Sequence, residues 1–133
     1  MRKMSGTSFP LVIGLVLAFA FMIQARSLED DRTLVGELID VGCNTKSIKA
    51  GGQGTSAANH ADCSYLCISK GMPAGIKTAD GSVYWVIGTY TKFDNKALLQ
   101  FVNKQVKASG PVKTVDGHHT IAVKSIELLK AAK

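Results

Sequence analysis

No G-x-S-x-G elbow, no H-E-x-x-H helix and no G-x-x-x-x-G-K-[ST] phosphate loop occurs in the 133 residues, which removes the commonest sequence signs of serine hydrolases, zinc peptidases and P-loop NTPases. Asp and Glu total only 10 and are scattered, so the paired carboxylates of a glycosidase have little support. There is no C-x-x-C-H for covalent haem and no C-x-x-C of the thioredoxin kind. The longest apolar run falls short of the roughly 20 residues that a spanning helix needs. No internal repeat is visible, and the length allows one domain.

The 16 Lys+Arg leave a formal net charge of +6, with 46% hydrophobic and 20% charged residues. That is the balance of a globular chain rather than a disordered one. Arg2 and Lys3 precede an uncharged run from Phe9 to Ile23, and charged chain resumes at Arg26. This order of basic head, apolar centre and small residues reads as a secretory signal over residues 1–25, cleaved after Ala25. An uncleaved signal would be the only membrane attachment. The expected setting is secreted or periplasmic, an oxidising compartment. Losing Arg2 and Lys3 leaves a weakly basic mature chain with dispersed lysines, which argues against nucleic acid as a partner.

Residues 26–33 read as a flexible lead-in, 34–129 as the domain and 130–133 as a tail. Leu34 to Cys43 alternates as a strand, with Val35, Ile39 and Val41 on one side and Gly36 and Gly42 as bend points. Asn44 to Asn59 is rich in Gly, Ser, Ala and Lys and reads as a flexible loop. A short helix fits His60 to Lys70, with Asn59 as N-cap and Gly71 as its stop. Strands at Ala74–Thr78 and Ser82–Gly88 flank an Asp80-Gly81 hairpin signal. Asn95 to Lys104 carries Leu98, Leu99, Phe101 and Val102 at helical spacing. Strands at Gln105–Lys113 and His119–Leu128 flank a second turn at Asp116-Gly117. The order predicts a mainly β fold: a small five-stranded OB-like Greek-key barrel. Its helix lies between strands 3 and 4, and a short Cys/His-bearing helix is inserted between strands 1 and 2.

The sharpest chemical feature is Cys43, His60, Cys63 and Cys67. On one helix His60, Cys63 and Cys67 fall within roughly a quarter-turn, at about 100° per residue. Three readings compete. Three thiolates and an imidazole form a Cys₃His set suited to zinc or copper. Alternatively, Cys43 pairs with Cys63 or Cys67 in a disulfide, closing a loop of 20 to 24 residues and stabilising by about 3 kcal/mol. That pairing leaves an odd thiol to explain. The third is thiol exchange, with Cys63 near the helix start. Asp40 is a candidate to orient His60, and Met72 a candidate thioether donor.

The segments Gly36–Cys43, His60-Ala61-Asp62-Cys63 with Cys67-Ile68, Gly71–Gly75 and Asp80–Tyr84 carry a resemblance. Together they resemble a group of small exported bacterial OB-fold-like proteins that share a Cys…HxxCxxxC segment. The resemblance implies the fold and an envelope setting and brings no reaction with it. Elsewhere Tyr84, Trp85, Tyr90 and Phe93 gather on and after the third strand. Trp85, alternating with Val83 and Ile87, is expected to complete the core. The adjacent His118 and His119 point to opposite strand faces and do not chelate one ion together. The expectation is a binding module rather than an enzyme, with a metal ion or an envelope protein as partner. A disulfide-stabilised interaction domain using an aromatic barrel face is the alternative.

Overall fold

The computed structural model describes residues 30–130, apart from the Ala57 side chain. The signal expected at residues 1–25 lies outside the described residues. Among those described, no helix is long and apolar enough to cross a membrane.

The chain is mainly β. In order it forms β1 (Asp31–Asp40), α1 (Val41–Lys49), α2 (Ala57–Ser69), β2 (Ala74–Thr78) and β3 (Val83–Ile87). A run of short helical turns follows, then β4 (Gln105–Val115), β5 (His118–Ala122) and β6 (Ser125–Leu128). The ladders run β1-β2-β3-β5-β4 and return from β4 to β1, closing a five-stranded barrel. The β3–β5 pairing is parallel and the other ladders are antiparallel.

β1 serves both sides of the closure. Asp31–Glu37 pair with β4 and Gly36–Asp40 with β2, so Gly36 and Glu37 pair with both. A Cβ on Gly36 would stand 2.3 Å from the Lys77 carbonyl oxygen, so only glycine lets the strand cross so close to its neighbour. Residues 31–33, expected in the flexible lead-in, already belong to this strand. The side expected to carry Val35, Ile39 and Val41 is not uniformly buried. Leu34 and Leu38 join the core while Val35 is exposed, and Ile39 and Val41 are buried outside the main cluster.

Inside the barrel Leu38, Ile76, Leu98 and Ile121 are fully buried and pack with Val106, Val86 and Ile68. Each large aliphatic side chain taken from water contributes about 1.5–3 kcal/mol. The expected fifth strand is present as β5 and β6. Residue numbers across the β4–β5 ladder sum to 233 (Val112↔Ile121) and across β4–β6 to 234 (Ser109↔Ser125). One residue is therefore extra, a β-bulge between the two halves. Asp116 and Gly117, both at positive φ (50° and 78°), close the two-residue hairpin before β5.

Between β3 and β4 the three-turn α-helix expected at Asn95–Lys104 does not form. A 3₁₀ turn (Thr89–Thr91), a single turn α3 (Lys92–Asn95) and a 3₁₀ segment (Lys96–Phe101) occupy this stretch. Leu98 and Phe101, three residues apart, are its buried pair, which suits three residues per turn. The chain must then straighten, because Val102 bridges Leu38 and the Asn103 N–H donates to the Leu38 carbonyl at 2.8 Å.

Candidate metal centre

The strand expected to reach Cys43 ends at Asp40. Asp40 is the N-cap of α1, and its Oδ1 accepts from the Cys43 N–H at 3.1 Å. Cys43 thus sits in the first turn of a helix, where its thiol is half-buried. The Gly-rich stretch after α1 is not free either. Asn44 Oδ1 accepts from the Thr55 N–H at 2.9 Å, Ser47 Oγ donates to the Gly54 carbonyl, and Lys77 Nζ donates to the Gln53 and Thr55 carbonyls.

α2 begins earlier than expected, with Ser56 rather than Asn59 as its N-cap. The Asn59 side-chain oxygen accepts from the Ser56 N–H at 2.8 Å. His60 interrupts the helix with φ −150° and ψ 23°, so the single helical stripe expected for His60, Cys63 and Cys67 holds only for the two cysteines. Asn103 Nδ2 donates to the Ala61 carbonyl at 2.7 Å beside this break. At the other end Gly71, at φ +83°, stops the helix as expected. The Gly71 N–H donates to the Ile68 carbonyl and the Met72 N–H to the Cys67 carbonyl, the paired bonds of a Schellman motif. Buried Asn95 donates to the Ile68 and Met72 carbonyls, both at 3.0 Å.

These anchors explain why distant residues meet. β2 starts at Ala74, which pairs with Asp40, and the Val41 N–H donates to the Pro73 carbonyl. The C-terminal end of α2 is therefore drawn back over the end of β1. Cys67 arrives beside Asp40 and Cys43, and Cys63 lies one turn further out.

The donor atoms of Cys43, His60 and Cys63 all lie within 4.8 Å of one another, as do those of Asp40, Cys43 and Cys67. Cys63 Sγ and Cys67 Sγ are 3.9 Å apart. No side of the triangle formed by the three sulfurs therefore exceeds 4.8 Å. All three cysteines are free thiols, Cys63 the most exposed, so the disulfide of Cys43 with Cys63 or Cys67 is not formed. His60 Nε2 is buried without a hydrogen-bond partner. Asp40, expected to orient His60, is grouped instead with Cys43 and Cys67.

Burial pushes the Cys43 thiol up to about 12, and the neighbouring Asp40 carboxyl and Cys63 add to the rise. The Cys67 thiol is raised too, first by its interaction with Asp40 and then by burial. Both thiols therefore hold their protons at neutral pH. A cleft of about 480 Å³ opens onto Cys43 and His60 past Lys46 and Thr55, and another of about 400 Å³ opens onto His60 and Cys63 past Asp62. The cluster is thus open to solvent from two sides.

Other candidates fall away from this centre. Tyr84 and Tyr90 pack against the core, Phe93 is 87% exposed, and Trp85 is half-buried on the opposite strand face from Tyr84. Trp85 does not complete the core; it stacks on His118 with ring centroids 4.5 Å apart. His119 stacks on Tyr84 at 5.4 Å, so the two histidines do face opposite ways. The four aromatics form no common barrel face. The chain matches no protein-family model, no curated protein and no solved structure.

Proposed function

We propose that this chain is an exported, non-catalytic binding module that holds a soft metal ion, zinc or copper, through Cys43, His60, Cys63 and Cys67. The sulfur triangle carries the reading. Zn–S bonds of about 2.3 Å in a tetrahedron place neighbouring sulfurs about 3.8 Å apart. The Cys63–Cys67 separation of 3.9 Å already meets this. The remaining sides, at most 4.8 Å, close with about 1 Å of side-chain movement onto bonds of that length. His60, whose ring stands within reach of Cys43 and Cys63 and whose Nε2 is buried without a partner, supplies the fourth donor once its ring moves toward Cys67. A buried imidazole nitrogen without a partner costs stability, and a metal bond would remove that cost.

The strand order, closed on β1 with a parallel β3–β5 pair, supports an OB-like Greek-key barrel as the scaffold. The short helical turns between β3 and β4 are compatible with the same scaffold. The apolar run at Phe9–Ile23 supports export. The test is metal analysis of protein purified from the periplasm of an expressing bacterium. One equivalent of zinc or copper is expected, lost in H60A and in C63S. Metal-free wild-type protein that takes up neither ion in vitro refutes the reading.

A further inference from the structure

Asp40 is fully buried, and its capping role uses only one of its two oxygens. Oδ1 accepts from the Cys43 N–H, while Oδ2 is buried with nothing but the thiols of Cys43 and Cys67 to interact with. Asn and Ser cap helices about as well as Asp, so capping does not explain a charge at this position. Shutting a carboxylate away from water is costly unless a counter-charge meets it. What stands beside it is a pair of thiols, with the Asp40 oxygen and both sulfurs within 4.8 Å of one another.

We propose that Asp40 is an oxygen donor of the same metal centre and makes it select divalent zinc over Cu(I). The inference rests on the metal-binding reading above and extends it to the identity of the ion. Thiolates and thioethers satisfy Cu(I), whereas carboxylates favour divalent ions, and zinc accepts sulfur, nitrogen and oxygen donors together. Zinc is usually four-coordinate and in some sites takes a fifth donor, so Asp40 joins the shell as the fifth or takes the place of one of the other four. Charge points the same way. Three thiolates and a carboxylate around a neutral imidazole carry more negative charge than a monovalent ion offsets, and a divalent ion offsets twice as much. Asp40 is also held in place by structure that exists without metal, since it pairs with Ala74 and caps α1.

The experiment titrates purified wild-type chain and D40N with Zn(II) and Cu(I) against competing chelators, and records the visible spectrum of each protein loaded with Co(II). Asparagine keeps the cap and removes the charge, and D40S serves the same purpose should D40N fail to fold. Zinc affinity is expected to fall at least tenfold, with Cu(I) affinity changed by less than threefold and the Co(II) spectrum altered. X-ray absorption of zinc-loaded wild-type protein is expected to show more light donors than His60 alone supplies. Zinc and Cu(I) affinities that fall together, or an unchanged Co(II) spectrum, overturn the proposal. Wild-type protein that binds zinc as tightly as D40N overturns the role of Asp40 alone. Wild-type protein that binds neither ion overturns the metal site itself.

Discussion

Zinc should stabilise this fold by an amount that the placement of its donors sets. Cys43 lies on α1, His60 at a helix break, and Cys63 and Cys67 on α2. Cys43 is 20 to 24 residues from the two helical cysteines, so only the folded chain assembles the full set. An ion that binds the folded state and not the unfolded one stabilises it by about 2.7 kcal/mol when free zinc is a hundred times its Kd. For a domain of this size each kcal/mol moves Tm by about 4–8 °C. Thermal unfolding with and without buffered zinc should therefore differ by roughly 10–20 °C. Cys63 is exposed, so C63S costs the metal-free fold little. If C63S weakens zinc about a hundredfold, the same free zinc stabilises by about 0.4 kcal/mol. The shift then falls to about 2–3 °C. A double replacement, H118A with H119A, should leave the wild-type shift intact, because those imidazoles stack on separate aromatics away from the cluster. A wild-type shift below about 2 °C, against the several degrees each kcal/mol gives, would refute the reasoning. So would equal shifts in wild type and C63S.

Alkylation of metal-free protein at pH 8 should modify exposed Cys63 ahead of Cys43, whose thiol is pushed up to about 12; mass spectrometry of timed samples checks the order. Because the folded state holds that proton more tightly than an ordinary thiol of 9.0, its contribution to stability is complete below pH 9. It is lost as pH rises from about 9 towards 12, which urea unfolding at stepped alkaline pH should show as a falling midpoint, with the decline reduced in C43A. Replacing Gly36 with Ala sets a Cβ against the Lys77 carbonyl where β1 pairs with two strands, and should cost about 3 kcal/mol in chemical denaturation. Asn95→Gly keeps a residue tolerant of φ 59° but removes the hydrogen bonds to the Ile68 and Met72 carbonyls at the end of α2, and should cost about 2 kcal/mol in the same assay.

Features written in local chemistry are legible in the sequence. Asp80-Gly81 and Asp116-Gly117 mark their hairpins because a tight turn needs residues that accept positive φ. Gly71 stops α2 for the same reason, and β2 occupies the five residues expected before the Asp80-Gly81 turn. α1 is hidden. It carries little apolar surface beyond Val41 and Ile48, and its Ser, Lys and Gly content reads as loop. Its one local sign is Asp40 standing before Cys43, a capping residue at the end of what alternates like continuous strand. The helix expected at Asn95–Lys104 does not form because periodicity marks which residues are buried together, not how tightly the chain must turn to bury them.

The same division holds at the candidate centre. The one-dimensional chain determined which donors exist, that Cys63 and Cys67 share a helix face, and that the strands and turns suffice for a small barrel. Alternation also grouped Val83, Trp85 and Ile87 correctly on one face. Only the tertiary structure decided that this face is the outer one, because inside and outside acquire meaning when β4 returns to β1 and the sheet closes. It likewise decided that Asp40 joins the thiols while His60 leaves the helical stripe. Those outcomes depend on Ala74 pairing with Asp40 and on Asn95 and Asn103 gripping α2, contacts between residues far apart in sequence that no local pattern encodes.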